Sequence, residues 1–199
     1  MALATYADLL TSVGTWLGRV DLTASDDDFV ILAEAAFNRT LFTEDSVSAE
    51  TSVTAASDGT FALPSTFRRM RIIRNTETYP KPLDQVPDSV GVTLTGSVPL
   101  AYSIVGGNVQ LWPKAAHSVV YKYYATIPAL SAGVNWLYTK HPDIYLLGCL
   151  VAAEAFILND PRIPVWKSQL QESIDQLNGA NDKKRWNETR LRISAGRGY

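Results

Sequence analysis

The sequence predicts an α+β protein. A helical bundle is formed by the N- and C-terminal helices, an antiparallel β domain of small-sandwich or barrel-like type is inserted between them, and an extended tail ends the chain. Three observations carry this reading. Apolar residues recur at helical spacing over residues 5–41 and again beyond Pro142, whereas residues 49–125 alternate polar with apolar residues and are rich in turn signals. Beyond Gly179 the chain turns polar and basic. The boundaries follow as 1–46 for the first helices, 47–130 for the β insertion, 131–182 for the last helices and 183–199 for the basic extension.

A chain of 199 residues supports one sizeable core, or one domain interrupted by a second, and 46% hydrophobic with 19% charged residues is the composition of a folded protein. The net charge of −2 is too small to call for a polyanionic partner of the whole molecule. A single cysteine, Cys149, excludes an internal disulfide. The opening MALATYADLL lacks the basic region and apolar run of a secretory signal, so the expectation is a soluble protein made in the cytoplasm.

The first helix is signalled by Thr5 with Asp8 three residues on, a variant of the capping box in which both side chains satisfy free amides. Leu9, Val13, Trp16, Leu17 and Val20 then mark one apolar face. Asp26, Asp27 and Asp28 precede a second stripe, Phe29, Leu32, Ala33, Ala36, Phe37 and Leu41. Carboxylates at a helix start are stabilised by its free amides and dipole, which explains the acid triplet better than a metal or catalytic cluster does.

The pattern changes near Ala49. ETSVTAASDGTFALP alternates around Asp58-Gly59, a hairpin signal, and RRMRIIRN continues in extended style with Met70, Ile72 and Ile73 alternating imperfectly with arginines. LDQVPDSV holds one short helical turn inside a Pro/Gly-rich stretch. PLAYSIV and NVQLWP are joined through Gly106-Gly107, and Val119, Tyr121, Tyr123 and Ala125 lie on one face of the last strand.

The most apolar block, from Ile144 to Leu158, falls short of the roughly 20 residues of a membrane span and contains Glu154. It reads instead as a helix from Pro142 to about Leu158 that is buried in protein. Gly148, Ala152 and Ala155 form a small-residue ridge on it, flanked by Leu147 and Val151 on one side and Leu146 and Leu150 on the other. A last helix follows Asp160-Pro161, with Trp166, Leu170, Ile174 and Leu177 at its core positions, and residues from about Arg190 to Tyr199 are expected to be extended.

Chemistry finds little support. His117 and His141 lack zinc-site spacing to Cys, Asp or Glu, and Cys149 sits where burial disfavours a thiolate. No nucleophile elbow, P-loop or dinucleotide fingerprint is present. The acid pairs Asp84/Asp88 and Glu44/Asp45 are better read as solvated loop acids than as a glycosidase dyad. The arginines of FRRMRIIR fit a solvent-facing strand edge, and Trp112, Tyr121 and Tyr123 are better explained as core than as a glycan-binding patch. The basic tail is the better candidate for a partner contact, protein or nucleic acid.

Taken together, the chain resembles the head-to-tail adaptor proteins of tailed bacteriophages. TYADLLTSVGTWLGRVDLT resembles the family's first helix and turn, and FVILAEAAFNRTL its second, through Phe29, Leu32, Ala33, Glu34, Asn38, Arg39 and Leu41. LPSTF, YYATIPALS, NWL and HPDIYLLG extend the resemblance over almost the whole chain. Ala36 and Phe42 depart from it, standing where many relatives carry basic residues.

The resemblance implies a structural virion protein at the head-tail interface, made in the host bacterial cytoplasm, without catalysis, cofactor, metal or membrane. It implies a homo-oligomeric, dodecameric ring beneath the portal protein that meets the next tail or nozzle protein. DNA would pass through the lumen without sequence-specific binding. Under this reading Arg190, Leu191, Arg192, Ile193 and Tyr199 dock on the portal. Trp16, Leu17, Phe37, Leu147, Gly148, Val151, Ala152, Ala155 and Trp166 serve bundle or subunit packing. The alternatives are another neck or tail-completion protein, or a β-sandwich glycan-binding tail module.

Overall fold

The computed structural model describes residues 3–19, 22, 25–157 and 160–194, with their side chains except those of Ala155 and residues 182–194. In chain order the elements are α1 (Tyr6–Leu17), α2 (Asp26–Thr40), β1 (Thr51–Thr54), β2 (Thr60–Ala62), β3 (Phe67–Asn75), β4 (Asp84–Gln85), α3 (Asp88–Gly91), β5 (Ala101–Val105), β6 (Asn108–Trp112), β7 (Ser118–Ala125), α4 (Trp136–Lys140), α5 (Pro142–Ala152) and α6 (Ile163–Ser194). They form two compact units. One joins the two ends of the chain, Met1–Asp45 with Ile127–Tyr199, and the other is Ser46–Thr126.

In the helical unit, α1 opens on the Thr5/Asp8 box. Asp8 N donates to Thr5 Oγ1 at 3.2 Å and Thr5 N donates to Asp8 Oδ2 at 3.0 Å. The helix closes at Gly18, whose left-handed backbone (φ 67°) suits glycine. Leu9, Val13 and Leu17, four residues apart, form its buried stripe. Trp16 falls beside that stripe and is 44% exposed, outside the core of this unit. On α2 the buried positions are Phe29, Val30, Ala33 and Phe37. Leu32, expected inward, is 52% exposed and its neighbour Ile31 61%, because one helix face is narrower than the run of apolar residues.

The apolar block forms α5, with Pro142 in its first turn, and Ile144 through Leu150 are all buried, unlike the one-sided stripes of α1 and α2. The helix is shorter than expected. Past Ala152 it tightens into a 3₁₀ turn over Ala153–Phe156, and Ile157 is already extended. Gly148 faces α2 so closely that a Cβ there would stand 2.4 Å from Phe37 Cζ and 3.2 Å from Ala33 Cβ. Phe37 in turn meets the Tyr145 ring edge-on at 5.2 Å, and Tyr138 meets Tyr145 at 5.5 Å.

Between β7 and α5 the chain has little regular structure, and its amides are satisfied by side chains. Asn38 Oδ1 accepts from Ile127 N at 2.8 Å, and Glu34 Oε1 from Leu130 N at 2.7 Å. Asn135 caps α4 by accepting from Tyr138 N at 2.9 Å, while its Nδ2 donates to Pro128 O and Tyr145 Oη. On α6, Ile163, Trp166 and Ile174 enter the core. The buried Asn181 then holds the segment after α2: its Oδ1 accepts from Glu44 N and its Nδ2 donates to Phe42 O, both at 2.9 Å. The helix runs on through Gly179 to Ser194, so the extended backbone expected from Arg190 is replaced by helix at least to Ser194.

The second unit holds two sheets, β1-β7-β3 and β2-β6-β5-β4. The first is antiparallel; the second is mixed, because β4 pairs with β5 in parallel. The tight turn at Asp58-Gly59 exists, but β1 and β2 do not pair with each other: β1 pairs with β7 and β2 with β6. Gly106 and Gly107, both at positive φ, do make the β5-β6 hairpin turn. The imperfect alternation in β3 has a physical cause. A register irregularity between Met70 and Ile72 lets Met70 and Ile73 both point inward and turns Ile72 out. Both sheets feed one core, in which Ile73, Val119 and Tyr121 from one meet Phe61, Val109 and Leu111 from the other.

Two stability predictions follow from the helical unit. Gly148→Ala alone would gain about 1 kcal/mol of helix propensity, but overlap with Phe37 costs about 1–3 kcal/mol, so denaturant unfolding is expected to show a net loss. A net gain would mean that Phe37 yields freely. Asn181→Ala leaves Glu44 N and Phe42 O unpaired and is expected to cost about 1–3 kcal/mol in the same measurement, with Asn181→Asp in between because it keeps only the acceptor.

Candidate assembly surfaces

Among the described residues, the candidate reactive groups are buried, ion-paired or scattered over the surface. Cys149 is fully buried, and burial, with Glu34 and Asp26 nearby, pushes its thiol well above the ordinary range. Tyr145 is raised in the same way, first by burial. His141 precedes α5 without capping it through its side chain. Asp84 and Asp88 are both exposed, and Asp45 is paired with Lys140. No group of three His, Cys, Asp or Glu among the described residues is arranged to hold a metal ion. None of the described helices is long and apolar enough to cross a membrane.

The surface-binding candidates of the β unit are accounted for in the same way. Trp112, Tyr121 and Tyr123 are buried, which removes the aromatic glycan patch. Trp112 Nε1 donates to Ser103 Oγ at 3.1 Å, and its indole lies where a Cβ on Gly91 would stand, 2.4 Å from Nε1. Of the β3 arginines, Arg74 pairs with Glu50 at 2.7 Å, and Lys122 reaches the same carboxylate at 3.5 Å.

The expected packing residues are distributed unevenly. Leu17, Phe37, Leu147, Gly148 and Trp166 lie in the core of the helical unit, and Val151 and Ala152 are half-buried against it. Trp16 stands at the surface, where its carbonyl accepts from Arg162 Nη1 at 2.9 Å. Arg162 is also bridged to Asp160 at 2.7 Å and lies 4.9 Å from the centre of the Trp166 ring. Arg190, Leu191, Arg192 and Ile193 fall on the helical backbone of α6. Their side chains, that of Ala155, and all of Tyr199 lie outside the described residues.

Exposed apolar side chains on the helical unit include Ile31, Leu32, Phe156 and Val165 besides Trp16. The sequence hid these, because each sits within or next to a helical stripe and only the packing decides which members face inward. It also gave no sign of the polar clamps Glu34, Asn38, Asn135 and Asn181. Their role depends on irregular segments far away in the chain, and the one available signal was the presence of amide side chains inside otherwise apolar stretches. A groove of about 610 Å³ beside α1 is lined by Leu10, Thr11, Gly14, Thr15, Gly18, Arg19 and Asp26.

No curated protein matches the chain at a significant level. The profile of the SU10 adaptor protein family, by contrast, matches residues 4–194, which takes in both helical segments, including the whole of α6, and the β unit between them. The chain therefore belongs to the SU10 adaptor protein family and is a structural adaptor protein of a phage virion.

Proposed function

We propose that this adaptor forms a closed ring beneath the portal, links the capsid to the tail and continues the DNA channel. The observation that carries the reading is the family match over residues 4–194, with no reactive centre among the described residues competing for another role. Mechanism here is geometry. A ring closes only when the two lateral faces of each subunit are complementary, and a head-to-tail contact repeated about an axis gives that closure. In this reading the helices of 1–46 and 131–182 form the ring wall, with a dodecameric count taken from the portal. The β-rich 47–130 faces the next tail protein.

The basic extension, 183–199, is the portal-docking element, through Arg190, Leu191, Arg192, Ile193 and Tyr199. Support comes from charge and length. Residues 183–199 hold Lys183, Lys184, Arg185, Arg190, Arg192 and Arg197 against Glu188 alone. A helix of 32 residues is about 48 Å long, more than the helical unit needs in order to place Ile163, Trp166, Ile174 and Asn181. The small net charge of −2 suits a lumen through which DNA must slide rather than stick.

Deleting the residues after Trp186 tests this. The shortened protein is expected to keep its thermal transition, since Asn181 and everything before it remain. By mass measurement it is expected to add no copies to the portal ring of its own virus, where the full chain adds about twelve. Undiminished joining by the shortened chain overturns the docking role, and failure of the full chain to join overturns the ring.

A further inference from the structure

The fold leaves one face of α2 without a use inside the subunit. Phe29, Val30, Ala33 and Phe37 turn inward, while Asp28, Ile31, Leu32, Ala35 and Arg39 are all exposed. Ile31 is 61% exposed and Leu32 52%. Phe156, itself 46% exposed, meets the Phe29 ring edge-on at 5.2 Å and widens the apolar surface on that side. Neighbouring apolar side chains held in water together mark an interaction surface, unlike single ones scattered over a protein.

The charges at the two ends of this face are uncommitted. Asp27 accepts from the Tyr6 hydroxyl, whereas neither Asp28 nor Arg39 has a hydrogen bond or ion pair among the described residues. Asp28, Leu32, Ala35 and Arg39 follow one another at four, three and four residues, the spacing of a coiled-coil seam.

A seam with an acid at its start, a base at its end, and one large and one small apolar residue between them is complementary to itself in one arrangement. Laid antiparallel on a second copy, in register about the point between Ala33 and Glu34, each Leu32 meets an Ala35 and each Asp28 an Arg39. A parallel copy sets Asp28 against Asp28 and Arg39 against Arg39, which like-charge repulsion disfavours. Size and charge are thus matched in a single register by the chain's own helix.

We infer that the free protein pairs with a second copy through an antiparallel α2–α2 contact about a two-fold axis, with Leu32 packed on Ala35 and Asp28 bridged to Arg39 at both ends. The pair is independent of the ring proposed above. A two-fold contact is closed at two copies, so it cannot propagate around a ring and has to open before subunits join in one orientation. From Asp28 to Arg39 the seam is about 17 Å long. That length belongs to a weak, exchanging interface, with a dissociation constant expected in the micromolar range. Such a pair keeps Ile31 and Leu32 from water yet releases its subunits readily.

Sedimentation of the free, full-length protein over a wide concentration range, without portal, tests the pair. A monomer–dimer equilibrium is expected. Leu32→Glu is expected to abolish it while the cooperative thermal transition remains, since Leu32 lies outside the core of the single subunit. Asp28→Arg or Arg39→Asp alone should weaken dimerisation about tenfold, and the two together should restore it, because the exchange regenerates both bridges. Mixed Leu32→Cys and Ala35→Cys proteins are expected to form a disulfide-linked dimer that neither gives by itself. Four results overturn the pair: a free protein that stays monomeric at about 1 mM or assembles directly into larger rings, dimers that survive Leu32→Glu, a charge exchange that restores nothing, or single cysteine variants that cross-link as readily as the mixture. None of them bears on whether the chain joins the portal.

Discussion

The helical unit depends on how close α5 comes to α2. At Gly148 the two helices approach until no side chain fits between them, and Phe37 occupies the space a Cβ would need. That one contact sets where Tyr145 meets Phe37 and where Tyr138 meets Tyr145, and it thereby fixes α4 on the same core. Burying a single leucine or isoleucine is worth about 1.5–3 kcal/mol. Ile144, Leu146, Leu147 and Leu150 collect that benefit only because α5 is enclosed by α1, α2 and α6 on its several sides. A longer side chain at 148 would push apart the surfaces that enclose them.

Enclosure on this scale leaves the connecting chain with few helical hydrogen bonds, and amide and carboxylate side chains take their place. Glu34 and Asn38, one turn apart on α2, hold the returning chain at Leu130 and Ile127. Asn135 serves three partners within ten residues of itself, and Tyr145 links it back to Glu34 at 3.1 Å. An unpaired buried amide or carbonyl costs more than a made bond returns, so these residues fix the path of the loops more than they add to net stability.

The helices were legible because their cues are local. The Thr5/Asp8 box and the fourfold spacing of Leu9, Val13 and Leu17 act within one or two turns, and the block after Pro142 announced its own burial by composition. The pairing of strands was not legible in the same way. Asp58-Gly59 carries every local sign of a hairpin, yet the strands on either side join different sheets, since Thr51–Thr54 finds its partner at Ser118–Tyr121 and Thr60–Ala62 at Asn108–Gln110. Long-range partners carry no signature in a single sequence. The packing residues divide likewise: Gly148 was visible as part of a small-residue ridge, whereas Trp16 and Leu32 joined stripes whose inward half only the fold could choose.

The chain's passage out of the helices and back has a further consequence. It leaves after Phe42 and Glu44, which Asn181 grips, and it returns at Ile127 and Leu130, which Asn38 and Glu34 grip. Both ends of the interruption are thus tied down by the helices themselves, and lengthening a closed loop raises its entropic cost only logarithmically. What lies between those anchor points can be lengthened or pared back at little entropic cost, while the helices that hold the ends keep their own contacts.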